Sequence, residues 1–398
     1  MRSRLASGKE GLQTMVRQSV GQWLEATCPN YDTALSPVSR EAERELAASF
    51  DVNVPDIPYA RYGNTISLAV AKNYADRVGA TGLGFEARLT NCGMAAIRAV
   101  FETGIRCYAD HLAAGKVLYG LTDELFRTAP DLFRTTKPHR FNAVRGLGPD
   151  VFPTGMRFMV FVETIGNGIP MPVFVLEKFL REHWNNQEVL VVDGTFTTCA
   201  LLNPFGVYDR VRRDFGPGTI KLVYVESLSK YYRTGDIDHG TAGIIVAPQV
   251  FIAECDKVLA HGFGIQYPQL ADFPVDLFGA CAEVMPRLSF NAKAAAEFLR
   301  GHPRVRNVWY PGWDSELARG AGGVLYLEVE TDERGAGERL FEPVIPFRAS
   351  FGHAQSTHVD FGQFNQSLPP GTIRLAVGTR ETPSQVVAKL QTALGPRL

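Results

Sequence analysis

The 398-residue chain reads as an α/β protein: a mostly parallel central sheet with helices on both faces, followed by a smaller C-terminal α+β domain. Three observations predict this. Val189, Leu190, Val191 and Val192 form an unbroken apolar run too short for a helix core, the pattern of a strand buried on both faces of a parallel sheet. Upstream, RFMVFVET passes through IGNG into a helix expected over Val173 to Trp184 and then into that run, which makes a strand–helix–strand unit with a right-handed crossover. Near the C-terminus, GVLYLEVE and TIRLAVG supply antiparallel strands instead.

Composition bounds the reading. A chain of this length implies more than one core. Hydrophobic residues make up 45 % and charged residues 21 %, which is ordinary for a globular protein and excludes a disordered one. The formal net charge of −1 gives no support to nucleic acid or an anionic membrane as partner. The six cysteines, Cys28, Cys92, Cys107, Cys199, Cys255 and Cys281, are scattered and form no CxxC pair, so no metal site is expected. They read as buried thiols in a reducing compartment, with Cys92 and Cys199 inside motif blocks. Neither a signal-like apolar segment behind Arg2, Arg4 and Lys9 nor a run of about 18 apolar residues occurs, so a cytoplasmic location is expected.

Taken in order, the chain begins with a polar stretch that has helical patterning from Val38 to Phe50, broken by the prolines of DVNVPDIPYA. YARYGNT, Tyr59 to Thr65, carries Arg61, whose guanidinium offers a bidentate fork to phosphate. TNCGMAAIRAVFETG follows; Met94, Ile97, Val100 and Phe101 recur at helical spacing, and Gly93 and Met94 open the helix. Such a start is an anion site, because first-turn N–H groups lack partners and a glycine lets phosphate approach. Tyr119, in VLYGLTDELF, reads either as an aromatic face for a ligand ring or as a core strand residue. Asn167 lies between glycines at the end of RFMVFVETIGNG, where a turn residue is also common. A second short run, Leu222 to Val225, leads to Ser227, Ser229 and Lys230, and Gly243 to Ala247 forms a further strand. A long helix is expected through Arg287 to Leu299, and Thr382 with Pro383 reads as N-cap and N1 of the last helix.

The strand ends at 189–193 and 222–230 are where open α/β sheets place their ligands. Together they offer an acid, Asp193, an amine, Lys230, and two hydroxyls, Ser227 and Ser229. That set suits pyridoxal 5'-phosphate: the lysine forms the Schiff base, the acid keeps the pyridine nitrogen protonated, and the hydroxyls donate to phosphate.

VVDGTF, SLSK and GIIVAP, with further blocks in the same order from residue 59 to residue 378, resemble the cystathionine γ-synthase/γ-lyase family of fold type I pyridoxal phosphate enzymes. RLSFNAKAAAEFLRGHPRVRNVWYPG matches a structural block of that family in order and spacing. The resemblance implies an arm over residues 1–60 that crosses onto a neighbouring subunit, a cofactor domain over 61–270 and a C-terminal domain over 271–398. It assigns Tyr59 and Arg61 to the phosphate of an adjacent protomer, and Cys92, Gly93 and Met94 to the phosphate cradle. Tyr119 becomes the ring-stacking and proton-transfer candidate, Asn167 the donor to the phenolic oxygen, and Ser350 and Arg374 the holders of a substrate α-carboxylate. Lys230 is the expected catalytic amine, and a dimer or tetramer with shared sites is implied. The expected reaction is γ-elimination or γ-replacement on an amino acid with a γ-leaving group. An aminotransferase, or a non-catalytic regulatory relative that keeps the cofactor, remain the alternatives. Thr65, Cys92, Leu121, Gly194, Gln355 and the 231–240 turn depart from the family pattern and point to a specialised substrate.

Overall fold

The computed structural model describes residues 65–133, 139–141, 156–186, 188–232, 241–265, 267–270, 273–313, 317 and 319–395. Tyr59, Arg61, the expected helix at Val38 to Phe50 and most of the 231–240 turn lie outside them.

Seven strands make the main sheet: β1 (Phe85–Thr90), β2 (His111–Gly115), β3 (His139–Phe141), β4 (Phe158–Glu163), β5 (Val189–Asp193), β6 (Lys221–Ser227) and β7 (Gly243–Pro248). Their order is β1-β7-β6-β5-β4-β2-β3, and only β7 runs against its neighbours. Every residue of β4 and β5 is buried, as an apolar run covered on both faces requires.

Counting helices of eight residues or more among the described residues, α1 (Thr65–Arg77), α2 (Gly93–Cys107), α3 (Gly120–Phe133), α4 (Leu176–His183), α5 (Pro204–Phe215), α6 (Gln249–Leu259), α7 (Leu277–Leu299) and α8 (Pro383–Leu394) complete the frame. The side chains of the sheet alternate between two cores. Val189, Val191, Val223, Val225 and Ile245 pack against α2, α3 and α6, whereas Leu190, Val192, Leu222, Tyr224 and Ile244 pack against α1, α4, α5 and α7. A second, antiparallel sheet runs β10-β11-β9-β8, from β8 (Val305–Trp309), β9 (Val324–Val329), β10 (Thr357–Asp360) and β11 (Thr372–Ala376).

Two helix boundaries differ from expectation. The helix before β5 starts at Leu176, not Val173, because Val173 is held in a bridge to Ile165. The long helix starts at Leu277 rather than Arg287: Asp276 caps it by accepting from Gly279 N at 2.8 Å, and Pro286, a plausible helix start, sits inside it. Leu277, Cys281, Met285 and Leu288 give the added turns a buried stripe. At α8, Thr382 and Gln385 form the capping box that Thr-Pro announces.

Candidate active site

The C-terminal ends of β4, β5 and β6 open into a cavity of about 420 Å³. Each strand delivers one carboxylate there, Glu163, Asp193 and Glu226, and all three are buried. Glu163 and Asp193 are register partners on adjacent strands. Glu163 accepts the backbone N–H of Tyr119 at 2.6 Å and of Asn167 at 2.8 Å, and Asp193 accepts the N–H of Thr195 at 2.8 Å. Burial raises the proton affinity of both. Glu163 is raised further by the Asp193 charge, while Thr195 and the Lys230 ammonium oppose the rise at Asp193. The N–H groups of Tyr119 and Asn167 oppose the rise at Glu163, and the two adjacent carboxylates titrate as a pair.

Lys230 follows β6 in a turn and enters the cavity beside Ser350, to whose Oγ its Nζ donates at 2.6 Å. Burial, and next the Arg374 guanidinium, bring its ammonium down to about 8. The loop 350–352 packs on this lysine. Nζ sits 4.8 Å from the Phe351 ring centroid, and Gly352, at φ +90°, lies so near that a Cβ there would be 1.6 Å from the Lys230 carbonyl oxygen. Only glycine fits.

Arg374 is delivered by β11 and is buried. Nη2 donates to Ala349 O at 2.5 Å, and the guanidinium lies over Phe351 at 5.7 Å and Phe361 at 5.3 Å. Among the described residues its buried Nε has no hydrogen-bond partner, and the groups that face the guanidinium are the phenols Tyr326, Tyr231 and Tyr119 rather than carboxylates. A buried cation without a counter-charge is costly, so this one is built to receive an anion.

The opposite end of the cavity meets the start of α2. Cys92 is the N-cap, its sulfur accepting from Ala95 N at 3.3 Å, so the thiol performs the capping task a hydroxyl usually performs. Gly93, Met94, Ser227, Ser229 and Thr241 line this end. Ser229 Oγ donates to Ala242 O and accepts from Ala242 N, so it also ties the lysine turn to the sheet. Asn167 Oδ1 accepts from Tyr326 at 3.0 Å, which orients the amide and leaves its NH2 as the group available to a ligand. Tyr119 is not a core strand residue: it directly precedes α3, is 40 % exposed and lines the cavity.

Thus Cys92, Gly93, Met94, Tyr119, Asn167, Asp193, Ser227, Ser229, Lys230, Ser350 and Arg374 all converge on one cavity. Thr195, Phe196, Glu226, Thr241 and Phe351 line it as well and escaped the sequence reading. Thr195 and Phe196 stand in VVDGTF itself, Phe351 follows Ser350, and Glu226 is an acid that interrupts a buried apolar run. The set fits pyridoxal phosphate: helix-start N–H groups for the phosphate, a buried carboxylate beside a lysine for a ring nitrogen, an amide donor for a phenolic oxygen and a buried amine for the aldehyde.

Comparison with known proteins agrees. The model of the Cys/Met metabolism PLP-dependent enzyme family matches residues 33–209. Over that stretch the chain resembles the family, from whose members it is divergent. Its cofactor is accordingly pyridoxal 5'-phosphate. Similar proteins include a cystathionine gamma-synthase of Mycobacterium tuberculosis, 28 % identical over 364 residues that cover 85 % of this chain and 86 % of the relative. An L-methionine gamma-lyase of Pseudomonas deceptionensis is 25 % identical, covering 84 % of each. Among solved structures, metB from Corynebacterium glutamicum superposes with a TM-score of 0.69 at 21 % identity, covering 92 % of this chain and 93 % of that one, which shows a shared fold. Among the described residues no helix is long and apolar enough to cross a membrane, and no His, Cys, Asp and Glu cluster could hold a metal.

Proposed function

We propose that this chain catalyses γ-elimination or γ-replacement on an amino acid with a leaving group at Cγ, within a specialised pathway. The observation that carries the reading is Arg374, a buried guanidinium with no carboxylate partner among the described residues, which like Lys230 lies against the Phe351 ring. An α-carboxylate on Arg374 sets the substrate's Cα next to the amine. The names of the similar enzymes support chemistry at Cγ.

Bound pyridoxal phosphate would supply an electron sink that stabilises negative charge at Cα. The chain's own residues do the rest. Arg374 and Ser350 hold and orient the carboxylate, and the orphaned Nε gains a partner when they do. The buried Asp193 carboxylate stabilises a protonated ring nitrogen. Asn167 donates to the phenolic oxygen, and Gly93, Met94 and Ser227 hold the phosphate. Lys230, with Nζ brought down to about 8, is matched to accept the α-proton near neutral pH and then a proton from Cβ. Tyr119, at the cavity's exposed rim, is placed to stack on the ring and to pass a proton to the departing group. Phe196 and Phe351, stacked 5.1 Å apart, keep water from the lysine. We further propose that Tyr59 and Arg61 complete the phosphate site of a neighbouring subunit, so that the enzyme works as a dimer or tetramer, and that the chain divides near residue 270.

Incubating the holoenzyme with O-acetylhomoserine, cystathionine and a γ-halogenated amino acid tests the reaction. Ammonia with a keto acid, or a γ-substituted product, is expected from at least one of them. Amino-group transfer without loss of a γ-substituent would mark an aminotransferase and overturn the reading.

A further inference from the structure

The Glu226 carboxylate, which none of the chemistry above uses, is the acceptor for three buried phenols. Tyr74 from α1 donates to Oε2 at 3.0 Å, Tyr224 from β6 donates to the same oxygen at 2.5 Å, and Tyr232 donates to Oε1. All three rings are essentially inaccessible to solvent. Three O–H donors on two oxygens favour the ionised form, which keeps every lone pair free to accept. Burial pushes Glu226 up to about 7, with the three phenols opposing it and the Asp193 charge adding to the rise. Cys199, Cys281 and Tyr231 also face this carboxylate.

The positions matter more than the number of bonds. Glu226 ends the buried part of β6, Tyr232 lies two residues beyond Lys230, and the bond between them closes the turn that carries the amine. Tyr74 ties the same carboxylate to α1. Gly194 belongs to the arrangement: a Cβ there would lie 2.1 Å from the Tyr224 hydroxyl oxygen, so the phenol occupies the space that a side chain after Asp193 would fill.

We propose that Glu226 is a positioning residue for Lys230, its carboxylate closing the lysine turn through Tyr232, braced within β6 by Tyr224 and anchored to α1 through Tyr74. A reacting amine displaced by about 1 Å loses on the order of 10²-fold in rate, so a clamp on its turn is directly readable. The inference rests on Lys230 being the amine that binds the aldehyde.

The test uses apoprotein of the full chain with pyridoxal 5'-phosphate, and in parallel with pyridoxine 5'-phosphate, which has the same phosphate and ring but no aldehyde. Glu226→Gln is expected to bind pyridoxine 5'-phosphate as the unaltered protein does, yet to form the borohydride-fixable imine about 10- to 100-fold more slowly. Tyr232→Phe, which keeps the carboxylate and two phenols, is expected to fall between, and it carries the test should Glu226→Gln not fold. Unaltered imine formation in both variants would overturn the proposal. So would an equal loss of binding for both vitamers, since that reports a disrupted site rather than a misplaced amine. Lys230→Ala separates the underlying assignment: an imine still fixed by borohydride there would sink the role of Lys230 itself, whereas normal imine chemistry at Lys230 with indifferent Glu226 variants sinks only the clamp.

Discussion

Lys230 is a cation kept in a poor place for one. Its Nζ has a hydroxyl and an aromatic face for company, and burial brings it down to about 8 from the usual lysine range. Only the neutral amine attacks an aldehyde. The uptake rate of pyridoxal phosphate by apoprotein should therefore climb with pH and reach half its maximum near pH 8; a rate still rising steeply above pH 10 would show an ordinary exposed lysine. Much of this was legible in the sequence, because Asp193 and Lys230 each sit at the end of an apolar run and ring chemistry needs that pair. What could not be read was the company those residues keep. Glu226 carries no local signal beyond being an acid near a strand end, since its meaning depends on Tyr74, far away in the chain. Cys92 departs from the family pattern, yet its sulfur still caps the helix by accepting from Ala95 N.

The loop 350–352 shows how one element sets another. Gly352 has φ +90° and a Cβ there would run into the Lys230 carbonyl, so Gly352→Ala must move either the loop or the lysine turn. We expect a loss of about 1–3 kcal/mol in unfolding free energy, together with weaker binding of substrate carboxylate, because Ser350 and Phe351 travel with the loop. Unchanged denaturation and substrate affinity would show that the contact yields freely. Strands and helix types were the legible part here, since alternation and apolar runs are local signals. Boundaries were less so: the helix expected through Arg287 to Leu299 extends back past Pro286, because its preceding turns are fixed by the Asp276 cap and by burial against the rest of the core.

The whole molecule combines a seven-stranded sheet that supplies the carboxylates and the amine with a four-stranded sheet that supplies Arg374. The site thus forms only when the two sheets meet, through Gly352 on Lys230 and Phe351 on Phe196. The sequence placed each residue on its strand; their convergence is long-range and could be foreseen only through resemblance to a known family. The proposed role of Arg61 reaches further, to a neighbouring subunit. Arg61→Ala should weaken pyridoxal phosphate binding about 10-fold or more while gel filtration still reports the native oligomer; unchanged affinity, or a monomeric native protein, would remove it.

The account turns on which amine holds the cofactor. Borohydride reduction of the reconstituted enzyme, followed by peptide mass mapping, should find the pyridoxyl mass on Lys230 alone. A protein that stays colourless on reconstitution, or a label on any other lysine, would contradict it.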